Sequence, residues 1–452
     1  MKRYSLFIIT VIFAGLNASA QRLTLEQCLE RARQNNHELR NAALEIEAAS
    51  EQKKEAFTNY FPRISANVMA FRLFDELVKA DGTYPQEIAA ISEQFIPLIG
   101  TPFSDAEFNR AYAISATLVQ PLYYGGQIVS GNKLAKVQQD VMTLRQQLTE
   151  KEVLQKVTEC YWQLACVRYN LSTIEAAEKQ IEAVMAQVEL FLKAGVTTRN
   201  STLRVRLRQQ ELSSSRLKLE NADHVLRLLL AQQIGIEPAV ADKEFDIIVE
   251  DKEVEQPIEA AEGQIGLSPD HREELQLMGK AVEAQELQVK MERGKYLPHL
   301  AVGLSGYHSG LGGFSEGVSS YLHTNLNNGL VFGTVSIPLS DWWGGSHAMK
   351  RQKIKLQQAK DDLENARQML QIDIEKAWTN LQEAYKQTQI AQASLDEAAE
   401  NLRMSTEQYR MSTCTLTDLL DAETLNRQAQ NNLAQAKANY QIALADYLRK
   451  AL

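Results

Sequence analysis

The strongest constraint on this chain is where glycine and proline are missing. Neither occurs between Gln21 and Phe61, between Asn132 and Ala194, or from Ser346 to Leu452. These stretches are rich in Ala, Gln, Glu, Leu and Lys, which favour helix, and nothing in them punctuates one. Val153, Cys160, Val167, Ile174, Ile181 and Val188 recur every seven residues. Val157, Leu164, Leu171 and Met185 fill the second position of the same heptads, with Glu178 interrupting. Leu356, Ala359, Leu363, Ala366 and Leu370 repeat the spacing, and Ala377, Ala384, Ala391 and Ala398 continue it with small residues that allow close approach. This is an a/d seam. It predicts one helix over about 130–192 and another over about 346–411. At ~1.5 Å per residue each is about 100 Å long. Helices that outrun a globular core must pack on one another along their length, in a coiled coil or a helical tube.

The chain also repeats itself. Each half reads as a short helix, a Pro-led strand, a loop, a second strand, a Pro-aromatic-Gly-Gly turn, a very long helix and a return helix. Phe61-Pro62-Arg63-Ile64 corresponds to Leu297-Pro298-His299-Leu300. Gln120 to Gly126 corresponds to Ile337 to Gly345, and the turn Phe191 to Thr202 to Tyr409 to Leu420. This divides the chain into a first repeat (21–235), an acidic linker (236–267) and a second repeat (268–452). Residues 1–20 read as a cleavable secretory signal: Lys2 and Arg3, an apolar core from Leu6 to Leu16, then Ala18-Ser19-Ala20. No Cys follows the cleavage site, so no lipid anchor is expected.

Nothing after residue 20 has the ~18 consecutive apolar residues of a spanning helix. Strands are expected at about 62–72, 111–121, 298–307 and 329–339. They alternate: Ile64, Ala66, Val68 and Ala70 on one face, Arg63, Ser65 and Asn67 on the other. Each is about ten residues, enough to cross an outer membrane when tilted. Alternation alone also fits a soluble sheet capping a coiled coil. Four strands cannot close a barrel, and an open sheet in lipid strands its edge groups. If these strands span a membrane, several chains share one barrel. Tyr123-Tyr124 and Trp342-Trp343 stand where strand gives way to helix, the height of a membrane-interface aromatic belt, or simply strand-end packing.

The formal charge of −9, more negative once the signal is removed, argues against nucleic acid as a partner. Cys28, Cys160, Cys166 and Cys414 are irregularly spaced, mostly within helical patterns, and read as small apolar residues. No metal-ligand spacing, nucleophile elbow or phosphate loop is present, so neither enzymatic activity nor a cofactor is expected.

Taken together, the tandem repeat, the Pro-led strands and the run Tyr409 to Ala422, with its Leu-Asp-Ala ending, resemble the TolC-like outer-membrane efflux family. Leu25 to Asn41 is similar to that family's opening helix. The resemblance covers nearly all of the exported chain. It implies a mainly α fold with a membrane β-barrel: a homotrimer whose twelve strands form the barrel in outer-membrane lipid and whose long helices form a periplasmic α-barrel. Residues 236–267 would be an equatorial insert. The loops Leu73–Arg110 and Tyr307–Asn328 would face outside. The implied role is a passive exit duct for small molecules, served by an inner-membrane transporter and a periplasmic adaptor. The outer component of a type I protein-secretion system uses the same duct, and a periplasmic coiled-coil structural protein is the remaining alternative.

By the same resemblance, Asp418 and Asp421 take the positions of the pore constriction. Three copies would stack two carboxylate rings, which favour cations and can hold a polyvalent one. Thr415 with Asp418 also fits a helix capping box. Tyr409, Asn200 and Arg199 are the implied tip contacts. The family's tip arginine is replaced here by Cys414, so its closed-state lock does not carry over.

Overall fold

The computed structural model describes residues 21–72, 107–237, 245–248, 254, 269–315, 318–340 and 342–451. The expected signal, residues 73–106 of the first outer loop and most of the linker lie outside the described residues.

Seven α-helices and six strands are described. The first repeat begins with β1 (Gln21–Leu23), α1 (Leu25–Asn35) and α2 (His37–Thr58). It continues through β2 (Arg63–Arg72), β3 (Glu107–Tyr124), α3 (Gln127–Lys193) and α4 (Arg199–Gln233). After β4 (Phe245–Ile247) come α5 (Glu273–Gly294), β5 (His299–Ser315), β6 (Val318–Ser336), α6 (Gly344–Arg410) and α7 (Leu416–Ala451). Matched helices have nearly equal lengths: 22 residues in both α2 and α5, 67 in both α3 and α6, and 35 in α4 against 36 in α7.

The register between the halves is constant from the second strand onward. Pro121, near the end of β3, and Pro338, just past β6, correspond, α3 and α6 begin at 127 and 344 and end at 193 and 410, and the return helices are preceded by Thr198 and Thr415. Every pair is 217 apart. This corrects the turn correspondence by one residue: Gln408, not Tyr409, is the counterpart of Phe191, and Ser201, not Asn200, is that of Asp418. The helix N-cap defines this register, whereas local residue similarity misplaced it.

Two compact units form. Among the described residues, one comprises those within 47–141 and 278–362, and the other those within 21–46, 142–277 and 363–451. The first holds an antiparallel sheet in the order β2-β3-β5-β6. The two repeats meet in it through a backbone contact. Gly125 adopts φ 60°, and a Cβ there would lie 2.0 Å from the Gly294 carbonyl oxygen. Only glycine fits such a position.

The second unit is built on helix seams. Along α6, Ala377 and Ala391 of the predicted stripe are buried, whereas Leu356, Ala359, Leu363, Ala366, Leu370, Ala384 and Ala398 are half-buried, and the second seam position moves to Ile374 and Leu381. In α3 the stripe shifts past residue 170: Ile174, Ala177, Ile181, Val184 and Val188 are buried. The second seam position is therefore Ala177 and Val184 in place of Glu178 and Met185. Glu178 turns aside to Arg216, whose Nη1 donates to it at 2.9 Å. Its charge is satisfied there, so it does not interrupt the core. A separate core gathers Leu23, Cys28, Ala32, Val157, Tyr161 and Leu164 with Leu230 and Ile247, where β1 and β4 pair in parallel.

Two local expectations change. The opening helix breaks between α1 and α2 at Asn36 without a Gly or Pro. The buried Asn36 side chain accepts from the amides of Glu38 and Leu39 at 2.7 and 3.3 Å and donates to the Gln233 carbonyl at 2.8 Å. An asparagine supplying its own helix cap starts a new helix. The outer loop expected at Tyr307–Asn328 is largely strand: β5 runs 17 residues and β6 runs 19. The stretch contains glycines but no proline, so nothing removes a ladder donor and the hairpin continues.

Candidate channel wall and tip

In the sheet, register sorts residues by chemistry. Ile64, Leu118, Leu304 and Val331 stand in one row across all four strands. On the same face, Val68 pairs with Ile114 and Leu300 with Val335. Ile64 is 75% exposed and Val331 81%. The opposite face carries Ser65-Thr117-Ser305-Leu330 and Asn67-Ser115-Tyr307-Asn328. There the hydroxyls of Thr117 and Ser305 lie 3.0 Å apart. One face bears an exposed apolar row and the other mainly polar rows, with Leu330 and Phe332 among its apolar members, which is the sense of a membrane-barrel wall, apolar outward and more polar inward. Among the described residues, β2 and β6 each have one unpaired edge.

At the strand–helix junctions, Tyr123, Tyr124, Trp342 and Trp343 are all exposed, the tryptophans by 82% and 74%. Tyr124 stacks on the His299 ring at 4.1 Å and 7°. Trp342 and Trp343 adopt φ 53° and 68°. Counted from the preceding proline, they occupy the same two left-handed positions as Gly125 and Gly126, at φ 60° and 76°. One repeat fills this turn with residues that tolerate positive φ. The other fills it with two bulky residues that do not.

In the other unit, the α3–α4 turn meets the α6–α7 turn. Val205 and Leu212 pack with Tyr409, Leu416 and Leu419 in one core. Tyr409 is buried, with its ring 6.1 Å from that of Phe191. Burial, then the nearby Cys414, raises its phenol above the usual value. Cys414 turns back to donate to the Ser405 carbonyl at 3.4 Å. Arg199 and Asn200 are exposed, and among the described residues neither makes a hydrogen bond to Tyr409.

Asp418 and Asp421 share the exposed face of α7, turned away from buried Leu416 and Leu419. Three residues at ~1.5 Å place them about 4.5 Å apart along the helix. Asp418 closes a cap with Thr415: its Oδ2 accepts from the Thr415 amide at 2.9 Å and hydroxyl at 2.7 Å, and its amide donates back at 3.2 Å. The hydroxyl bond and then the amide bond hold its carboxyl below the usual aspartate range. Thr198, at the equivalent place before α4, forms no side-chain cap. Asp421 has no hydrogen-bond or ion-pair partner among the described residues.

Polar links join α4 to α7 beside this face. Arg204 donates to the Thr417 hydroxyl. Arg208 donates from Nε and Nη2 to Glu423 Oε2 at 3.0 and 2.8 Å, to Thr424 at 2.7 Å and to Glu211 at 2.9 Å. Burial opposes the Arg208 charge, but the Glu423 and Glu211 carboxylates outweigh it and raise its pKa. Glu423 is 3% exposed, and its Oε1 has no partner.

The sequence pattern of outer membrane efflux proteins matches residues 28–232 and 265–452. The chain belongs to the outer membrane efflux protein family. Solved structures share its fold. A membrane protein from Pseudomonas aeruginosa is 16% identical, with 95% of this chain and 93% of that one covered at TM-score 0.74. The Campylobacter jejuni CmeC outer membrane channel is 14% identical, with 94% and 85% covered at 0.73. The outer membrane protein VceC of Vibrio cholerae is 15% identical, with 94% and 95% covered at 0.72. None of the curated proteins compared matches the chain in sequence.

Sequence reasoning missed Arg204, Arg208 and Glu423 in this family member. One signal was available. Leu416, Leu419 and Glu423 follow an i, i+3, i+7 spacing, which puts an acid at a seam position, where a charge needs a buried partner. Arg204 and Arg208, one turn apart on α4, were candidates for it.

Proposed function

We propose that the exported chain is the outer-membrane exit duct of an efflux system, a homotrimer whose three four-stranded sheets close one twelve-stranded barrel. The observation that carries this is the sheet with an exposed apolar row on one face, a more polar opposite face and two open edges. An apolar face of this kind belongs in lipid, and lipid does not tolerate open edges. The duct passes small molecules without chemistry of its own, opened by an inner-membrane transporter and a periplasmic adaptor. In this reading Asp418 and Asp421 form two stacked carboxylate rings at the constriction. Tyr409 belongs to the packed tip core. Arg204–Thr417 and Arg208–Glu423 tie the two return helices together in the closed state.

The edge closure is tested by disulfide trapping. Ser65→Cys on β2 is combined in turn with Asn328→Cys, Leu330→Cys and Phe332→Cys on β6, all on the polar face. One combination is expected to give covalent dimers and trimers on oxidation in membranes. A chain that is monomeric in detergent and traps in no combination contradicts a shared barrel.

A further inference from the structure

Just before the sheet, α2 and α3 enclose an open groove of about 460 Å³. Its floor is apolar and aromatic: Phe57 from α2, Tyr60 from the turn after it, and Val129 from α3. Its rim is cationic: Lys53 and Lys54 from α2, Lys133 and Lys136 from α3. Asn132 is held in the wall by its bonds to the Ala56 and Ile128 carbonyls at 3.0 and 2.9 Å. Lys54 is paired with Glu51 at 2.7 Å, and Lys53 donates to Gln139 at 3.1 Å. Lys133 and Lys136 are exposed and have no partner among the described residues. No carboxylate lines the groove.

Its place in the chain gives the groove a meaning. Tyr60 lies three residues before β2, and Val129 lies five residues after β3. Phe57 also packs edge-on against Tyr60 and Phe61, at 5.6 and 5.4 Å, in an exposed aromatic cluster at the strand start. A second observation comes from the other repeat. Both helices that leave the sheet begin basic: α3 has Lys133 and Lys136 before its first acid, Asp140, and α6 has Lys350, Arg351, Lys353, Lys355 and Lys360 before its first, Asp361. Helix starts favour acids, and neither first turn contains one. A cationic collar beside the strand ends, in a chain of net charge −9, is complementary to anionic lipid.

We propose that this groove binds the headgroup of an anionic phospholipid of the membrane leaflet nearest the helices. The phosphate sits among Lys53, Lys133 and Lys136, and the glycerol and upper acyl chain lie on Phe57, Tyr60 and Val129. This rests on the reading that the sheet spans the membrane. A basic side chain at a membrane surface contributes about 1 kcal/mol, which is about fivefold in affinity.

The test uses the full purified protein in phosphatidylcholine bilayers with and without phosphatidylglycerol. Co-purified lipid is counted by native mass spectrometry. Wild type is expected to retain phosphatidylglycerol over phosphatidylcholine, and Lys53→Ser, Lys133→Ser, Lys136→Ser together are expected to lose at least tenfold of that preference. Lys53→Arg, Lys133→Arg, Lys136→Arg should keep it, which separates charge from folding damage. Removing exposed charge elsewhere, as in Lys179→Ser with Lys386→Ser, should leave it unchanged. Equal retention in wild type and the serine variant overturns the site while leaving the duct reading intact. Competition by inorganic phosphate as strong as that by lipid overturns the lipid assignment. A protein that never enters the bilayer overturns the duct reading beneath it.

Discussion

Cutting Arg208→Ala should loosen the tip more than any surface change of similar size. Arg208 and Glu423 side chains are 11% and 3% exposed, and they meet at 2.8 Å. Glu423 already has one oxygen without a partner. Removing the guanidinium leaves a buried carboxylate with no hydrogen-bonded cation, Arg427 acting on it only at a distance, a change that costs about 3–5 kcal/mol. Replacing both members with apolar residues, Arg208→Leu with Glu423→Leu, removes the charge problem and should cost far less. The assay is native-state hydrogen exchange over Val205–Leu212 and Leu416–Glu423, which reads local opening. At about 1.4 kcal/mol per decade, the single variant should speed exchange there by about a hundredfold or more, while α2 and α5 stay unchanged. The double variant should recover most of that protection. If Arg208→Ala moves exchange by less than about threefold, or if the double variant is worse than the single, the buried pair does not hold these helices.

Three further outcomes follow from the structure. Trp342→Gly with Trp343→Gly removes two left-handed tryptophans, each strained by roughly 1–2 kcal/mol. Thermal stability in detergent should hold or rise, while insertion into vesicles falls because the interfacial rings are gone; a large loss of stability in detergent would show the rings to be packing elements instead. Burial pushes the Cys28 thiol up to about 12, leaving about 10⁻⁴ of it as thiolate at pH 8, so maleimide should label it only after unfolding, and rapid labelling of the folded protein would contradict its place in the core. The Asp418 carboxyl is held low by Thr415, so its cap on α7 is fully present above the ordinary aspartate value and is lost as pH falls through the lowered one. Exchange at Leu416–Leu420 should be flat from pH 7 to 5 after correction for intrinsic rates and rise only below about pH 4; a rise near pH 6 would contradict this.

Long-range order was legible because it is written as period. The period of α6, though not its full seam, and the alternation of Ile64, Ala66 and Val68 are repeated signals, and each repeat confirms the last. What depends on one side chain in one place was not legible. Asn36 reads as a helix-compatible residue until its carboxamide is seen capping α2. Glu178 reads as a broken seam until Arg216 is seen taking its charge. The glycines near Gly310 suggest a loop, yet β3 on one side and β6 on the other keep β5 in the ladder. The aromatic rings of Phe191 and Tyr409 suggest a tip frame one residue off the one that the helix starts after Thr198 and Thr415 set.

The most direct test of the account is the current through single proteins in planar bilayers, for wild type and for Asp418→Ala with Asp421→Ala, with a trivalent cation added on the side of the α6–α7 turn. The account predicts small, cation-selective wild-type currents that the ion blocks, and a variant that conducts with weaker selectivity and no block. A variant identical to wild type would leave a channel whose aspartates only cap and solvate α7. A folded, inserted protein that passes no current, even with Arg208→Ala loosening the tip, would contradict the duct itself.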